Sequence, residues 1–406
     1  MVVLIAFKNV WRNKVRSLVV ITAIFLGLMG GIFTASIITG MVEQKIRTGI
    51  NNETAHIQIH HPEFMRNLEP GYRIVHPDSI VKLISEIPAV QGVCARTRIT
   101  GMAASPNSSA GVQILGVDPL REKMVSNLFE TIPDSSGGFF TGSRKNQLVL
   151  GRKLADKLKV KLKSKVVLRF QNGDGNLSEA AFTVNGIFQT ANNVFDETNL
   201  FVRKSDMDQL TGEAGSIHEI ALLLRDIGTI PVVQRELRVR LPHLAVQNWT
   251  EIRPEMGMIT SAVSIEVYII LGIILFALAF GIVNTMLMIV YERTRELGML
   301  MAVGMSKSRI FRMIMLETIF LTTIGGVLGM VLSATLVSLF HRRGIDLSAF
   351  SDGLGAYGFD PKIYPFITMK LYLYLSVMIL LTGILSAIGP ARKALKLKPV
   401  EAIRVE

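Results

Sequence analysis

The sequence predicts an α-helical membrane protein with four transmembrane helices and a large α+β extracytoplasmic domain inserted between helices 1 and 2. Three observations lead there. With 49% hydrophobic residues and a mean hydropathy of +0.40, the 406-residue chain is too apolar for an ordinary soluble protein and too mixed for a simple bundle in lipid. Four apolar runs reach the roughly 20 residues that a bilayer crossing needs. The formal charge of +12 gathers beside those runs: Lys8, Arg12, Lys14 and Arg16 precede the first, Arg293, Arg295, Lys307, Arg309 and Arg312 separate the second from the third, and Arg392, Lys393, Lys396, Lys398 and Arg404 follow the fourth. Charge so placed sets orientation and meets anionic lipid, so no nucleic acid partner is required.

Residues 1–17 read as a cytoplasmic or interfacial N-terminal helix, with Phe7 and Trp11 suited to the headgroup level. Residues 18–41 are transmembrane helix 1. Basic residues precede it, as in a secretory signal, but its run of about 24 residues exceeds the 7 to 15 of a signal core, so it is read as retained. Residues 42–264 contain no spanning stretch and many turn signals, and are long enough for a domain with its own core. There the alternation in Thr54-Ala55-His56-Ile57-Gln58-Ile59 predicts a half-buried strand. Asp78 is expected to cap a helix with Ile80, Leu83, Ile84 and Ile87 on one face. Further strands are expected over Val112–Val117, Gln147–Leu150, Val166–Phe170, Phe182–Phe188 and Glu219–Leu224, with a hairpin turn at Asn172-Gly173-Asp174-Gly175. Thr229 with Pro231 opens a helix over Val232–Leu241, and a β-rich subdomain occupies about 118–203. His56, His60 and His61 are read as solvated surface rather than metal ligands, and the single Cys94 excludes an intrachain disulfide.

Trp249 to Ser264 has helical spacing and is expected to run as a stalk into transmembrane helix 2, residues 265–291. At Glu292 the character switches. Charged residues, a short amphipathic segment over 292–309 and a new apolar run together describe a tight loop on the membrane surface, cytoplasmic by its Arg and Lys. Transmembrane helix 3, 310–340, carries Glu317 and the glycines Gly325, Gly326 and Gly329. A carboxylate at membrane depth is a functional candidate; the favoured alternative is that Glu317, about two turns in, reaches an interfacial Arg or Lys. The glycines suit close helix packing, within one chain or across a dimer. Residues 341–368 form a short outer loop, 369–388 transmembrane helix 4, ended by Gly389-Pro390, and 389–406 a cytoplasmic tail.

The segment NTMLMIVYERTRELGMLMAVGMSKSRIFRMIMLETIFLTTIGGVLG resembles FtsX-like permeases of the ABC superfamily, in the branch of lipoprotein-releasing permeases and macrolide or peptide exporters. ILGVDPLREKMVSNL, QLVLGRKLADKLKVKL and AFTVNGIFQTANNVFDETNLFV resemble the MacB-type periplasmic core, in the form carried by lipoprotein-releasing permeases more than by drug exporters, and the tail resembles the family ending Pro-Ala-Arg followed by Pro-Val-Glu-Ala-Ile-Arg. The resemblance implies a coupling helix that docks into an ATPase subunit, formed from Glu292, Arg293, Thr294, Arg295, Glu296, Leu297, Gly298, Ala302, Gly304 and Ser306. It implies a bacterial inner membrane location with both termini cytoplasmic and the large domain periplasmic. No phosphate loop G-x-x-x-x-G-K-[ST], no G-x-S-x-G and no H-E-x-x-H occurs, so no catalytic residue, cofactor or metal is assigned to this chain. With only 17 residues before the first span, unlike the fused macrolide exporters, ATP and Mg are expected on a separate ABC ATPase dimer. Four spans enclose little, so a second permease chain, identical or paralogous, is expected beside it. The function implied is extraction and release of lipoproteins, or other amphiphilic cargo, by mechanotransmission toward a periplasmic carrier. The alternatives are drug or peptide efflux with an adaptor and outer-membrane channel, and a non-transporting signalling permease that activates a periplasmic partner.

Overall fold

A computed structural model describes residues 2–12, 14–140, 144–212 and 215–396. The chain divides into two units, one of residues 1–43, 261–346 and 362–406, the other of residues 44–260 and 347–361.

The first unit is helical. After the short α1 (Val2–Arg12) come α2 (Lys14–Gly49), α3 (Pro254–Glu292), the nine-residue α4 (Thr294–Ala302), α5 (Lys307–Arg343) and α6 (Met369–Ala394). Among the described residues, four helices are long and apolar enough to cross a membrane, and they are α2, α3, α5 and α6. Apolar side chains on every face leave the backbone no water, and a helix satisfies its polar groups internally. Two boundaries differ from expectation. The stalk does not begin at Trp249: Trp249–Ile252 is a separate turn with an Asn248/Glu251 capping box, and Arg253 leaves helical geometry (φ −124°, ψ 75°) before α3 starts at Pro254. A proline ring excludes the α region for the residue before it, then suits the first helical position. At the other end, α6 does not stop at Gly389-Pro390 but continues through a buried Pro390 to Ala394. Within packed membrane helices the carbonyl freed by a proline finds other partners, so the ring need not end the helix. The match at Pro399-Val400-Glu401-Ala402-Ile403-Arg404 lies outside the described residues.

Glycines on α5 set the helix contacts within this unit. A Cβ on Gly325 would sit 2.9 Å from the Cβ of Ile24 and 3.0 Å from the carbonyl oxygen of Ile21, and one on Gly329 3.1 Å from that of Phe25, all on α2. Gly326 faces Ile379 of α6 at 3.2 Å. Four residues apart, Gly325 and Gly329 share a face, so α5 lies close along α2 within one chain.

The second unit is built on a sheet of nine strands: β1 (Ile57–His60), β2 (Val90–Ala104), β3 (Ser109–Val117), β4 (Gln147–Gly151), β5 (Lys165–Gln171), β6 (Leu177–Phe188), β7 (Asn199–Arg203), β8 (Glu219–Leu224) and β9 (Ala245–Asn248). Their order is β9-β1-β8-β2-β3-β7-β4-β6-β5, and the end of β2 also pairs with β5, Gly101↔Phe170 to Ala104↔Val167, so six strands close on themselves. β2 joins two halves. Its residues 90–96 pair with β8 and residues 96–104 with β3, Arg96 standing in both ladders. One half packs Ile57, Ile59, Leu222 and Leu224 against the helices Pro77–Ser85 and Ile230–Arg240; the closed half is filled by Ile99, Leu148, Leu168, Phe182 and Leu200. The β-rich part thus takes in β3 and half of β2, starting earlier along the chain than residue 118.

β1 is buried on both faces rather than half-buried. His60 stacks on Phe64 with ring centroids 5.7 Å apart and bonds the carbonyl of His218, while the ring of His56 accepts from the Leu224 amide at 2.9 Å. Neither histidine is the solvated surface residue expected, because a strand with neighbours on both sides and a helical turn, Phe64–Asn67, over one face has no wet side. Asp78 lies inside the first turn of its helix, which is preceded by His76 in the left-handed region (φ 55°) and opened by Pro77. Thr229 occupies the cap position of Ile230–Arg240 without a side-chain cap bond. At the β5–β6 hairpin, Gly175 has φ +87° and the Asn172 side chain accepts from the Asn176 amide at 2.8 Å.

Candidate functional site

α4 is the shortest helix of the membrane unit, and its sequence explains its seat. Leu297 is 2% exposed and lies among Met286, Ile289 and Val290 of α3 and Met313 and Ile314 of α5. Burying one Leu side chain contributes about 2 kcal/mol, and the partly buried Leu300, Met301 and Met305 pack against the same core. Gly298 is buried beside it, whereas Arg295, Met299, Ala302, Val303 and Gly304 face outward, with Val303 89% exposed. Gly304 turns the chain at φ +98°, which favours glycine, and Ser306 precedes α5 in extended geometry. Thr294 spends its hydroxyl on the carbonyl of Tyr291 at 2.7 Å. The sequence-assigned residues therefore divide: Leu297 and Gly298 hold α4 in place, and Arg295, Ala302 and Gly304 belong to its free surface.

Charged side chains close the inner end of α4. Arg293 donates Nε to Glu296 at 2.9 Å and Nη1 to Glu317 of α5 at 3.1 and 3.3 Å, and Arg12 at the end of α1 pairs with the same Glu296. The bond from Arg12 and then that from Arg293 hold the Glu296 carboxyl below the ordinary carboxylate range, against the opposing effect of partial burial. These groups border a polar cleft of about 270 Å³, into which Asn9 also faces, its amide Nδ2 buried without a hydrogen-bond partner. Glu317 thus meets an arginine from the loop between two spans. Arg12 is absent from the residues chosen by sequence, although a basic residue closing a short amphipathic helix beside a charged loop was the available signal.

The strand unit carries a second cluster that sequence reading missed. Arg96 binds Glu122 through Nε at 2.9 Å and Nη2 at 2.7 Å and Glu219 through Nη1 at 2.6 Å, while Arg98 reaches Glu219 at 3.3 Å. All but Arg98 are at most 2% exposed. Burial disfavours every charge here, but the mutual attraction prevails, raising the Arg96 pKa and lowering that of Glu219. Asp196 is the contrast: burial, only partly offset by bonds from the Thr190 hydroxyl and amide, pushes its pKa up to about 7. Among the described residues no group of three His, Cys, Asp or Glu side chains is placed to hold a metal ion.

Residues 17–239 match the MacB-like periplasmic core domain, more than half of the chain, and residues 268–399 match the FtsX-like permease C-terminal domain. An uncharacterized ABC transporter permease of Methanocaldococcus jannaschii is 25% identical over 240 residues, 57% of this chain and 56% of that protein. The macrolide export ATP-binding/permease protein MacB of Bordetella avium is 33% identical over 163 residues, 40% of this chain and 22% of that protein. The chain thus spans little more than half, or less, of the length of these relatives. The solved periplasmic region of MacB from Actinobacillus actinomycetemcomitans aligns with 54% of this chain and 98% of its own at 13% identity and a TM-score of 0.36.

Proposed function

We propose, because the chain belongs to the MacB/FtsX type of ABC transporter permease, that it works as a mechanical transmission between nucleotide hydrolysis on one side of a membrane and a folded domain on the other. ATP and Mg are held by a dimer of separate ATPase subunits, and this chain contributes no catalytic residue. α4 docks into that dimer, a second permease chain completes the assembly, and α3 carries the displacement outward as a stiff helix. Both termini face the cytoplasm of a bacterium, and the strand unit stands in the periplasm.

The observation that carries this reading is the division of α4 between a seated face, Leu297 and Gly298, and a free face with Met299 and Val303 exposed. A short helix offering an apolar anchor to a groove is a recurrent docking mode. Cargo is lipoproteins or similar amphiphiles released from the inner membrane toward a carrier, supported by the resemblance of the strand unit to lipoprotein-releasing permeases. Efflux of a drug or peptide is the second reading, favoured by the likeness to the macrolide export protein.

Val303→Glu in the full chain tests the docking face. ATP-hydrolysing subunits are expected to co-purify from native membranes at least about tenfold less than with the wild type, the loss typical of an anchor residue. Undiminished recovery rejects the assignment. Proteoliposomes bearing a lipoprotein or loaded with a macrolide then separate the two cargo readings by which one ATP mobilises.

A further inference from the structure

We infer that α1 is a third arm of the coupling apparatus, in which Arg12 and Arg293 are positioning residues that tie Glu296, and with it α4, to α1 and α5 at once. The inference rests on the reading of α4 as the docking helix.

The amphipathic α1 is fixed to its neighbours by packing. Ala6 and Val10 are 0% and 1% exposed, and the Phe7 ring meets Phe320 of α5 edge-on at 5.7 Å between centroids. Its last residue, Arg12, reaches across 284 positions of sequence to Glu296. From the other side Arg293 holds the same carboxylate and extends a second nitrogen to Glu317. Guanidinium groups suit this bridging because their donors form a rigid planar fork.

Geometry makes the ties matter more than their strength does. Leu297, with the partly buried Leu300 and Met301 beside it, anchors α4 through apolar contacts that carry little direction of their own. Two arginines converging on Glu296 from α1 and from the head of α4 fix its rotation. Arg12 and Glu296 are 56% and 41% exposed, so their pair adds little stability, yet it selects one orientation. A push on α4 is then delivered to α1 and α5 as well as to α3, whose chain it continues.

The test uses the full chain with the ATP-hydrolysing subunits that accompany it from native membranes. Amide hydrogen exchange is compared between nucleotide-free and ATP-trapped states for wild type, Arg12→Glu, Glu296→Arg and the double reversal. In the wild type, exchange in both α4 and residues 2–12 is expected to change with nucleotide. Each single reversal abolishes the response of residues 2–12 and leaves that of α4, with ATP turnover altered roughly 1.5- to 5-fold, as the loss of an exposed pair allows. The double reversal re-forms the pair between positions 12 and 296, although Arg293 then faces a like charge, and restores the greater part of the response of residues 2–12. If α4 itself ignores nucleotide, the docking reading fails. If α4 responds while residues 2–12 do not, or respond equally in the single reversals, the inference alone fails, and Arg12 serves only solvent or lipid headgroups.

Discussion

Two charged clusters, one in each unit, use the same residue types to opposite ends. In the strand unit, Arg96, Glu122 and Glu219 are sealed, with guanidinium nitrogens on both carboxylates and no more than 2% exposure. In the helical unit, Arg12, Glu296 and Arg293 border an open cleft, and only Glu317 at their inner end is buried. Water can replace a lost partner in the second cluster but not in the first. The sealed cluster is therefore either whole or broken, and it sits where β2 changes partners between the two halves of its sheet. The open cluster can be rearranged at small cost, which suits an element expected to move.

The sharpest way to break the comparison is Arg96→Met. It leaves the buried Glu122 without its cation and Glu219 with Arg98 alone at 3.3 Å, and a loss of about 3–5 kcal/mol is expected for unfolding of the strand unit, followed by proteolysis or chemical denaturation of the full chain. A loss below about 1 kcal/mol removes the distinction between sealed and open.

Asp196 tests burial without a cation. Its folded pKa of about 7 lies above the ordinary 3.8, so between those values the folded state binds the extra proton. The contribution of Asp196 to stability is accordingly greatest below about pH 4, falls as pH rises to about 7 and levels off above, with a slope of at most about 1.4 kcal/mol per pH unit. Asp196→Asn is expected to flatten that slope, which denaturation midpoints across the pH range will read.

Arg293→Met should cost least, about 1–2 kcal/mol, because the cleft admits water to Glu317. It is expected to reduce ATP-dependent work by the complex while leaving protease resistance of the strand unit unchanged. A stability loss as large as that of Arg96→Met shows that the open cluster is structural too.

Legibility in the sequence followed the same division. The spans were readable because a run of some 20 apolar residues has one stable form in lipid, and β4, β5, β6 and β8 because their pattern is local. β2 was not: VQGVCARTRITGMAA lacks a regular period because its two ends answer to different neighbours, β8 and then β3 and β5. His60 looked like a surface residue because four letters of alternation cannot say that both faces are covered. The residues proposed for coupling were located by resemblance, but which of them face inward was not, since the rotation of a nine-residue helix depends on what packs and pairs against it from α1, α3 and α5.

By itself the sequence determined the four apolar helices, the polar insertion between the first two and the charged loop between the second and third, because each follows from solvent preference along a contiguous stretch. Only the tertiary structure decided that Arg12 meets Glu296, that Arg293 meets Glu317 and that Arg96 is sealed between two glutamates. Those pairings join residues far apart in the chain, and whether a charge is buried or wet depends on what packs over it.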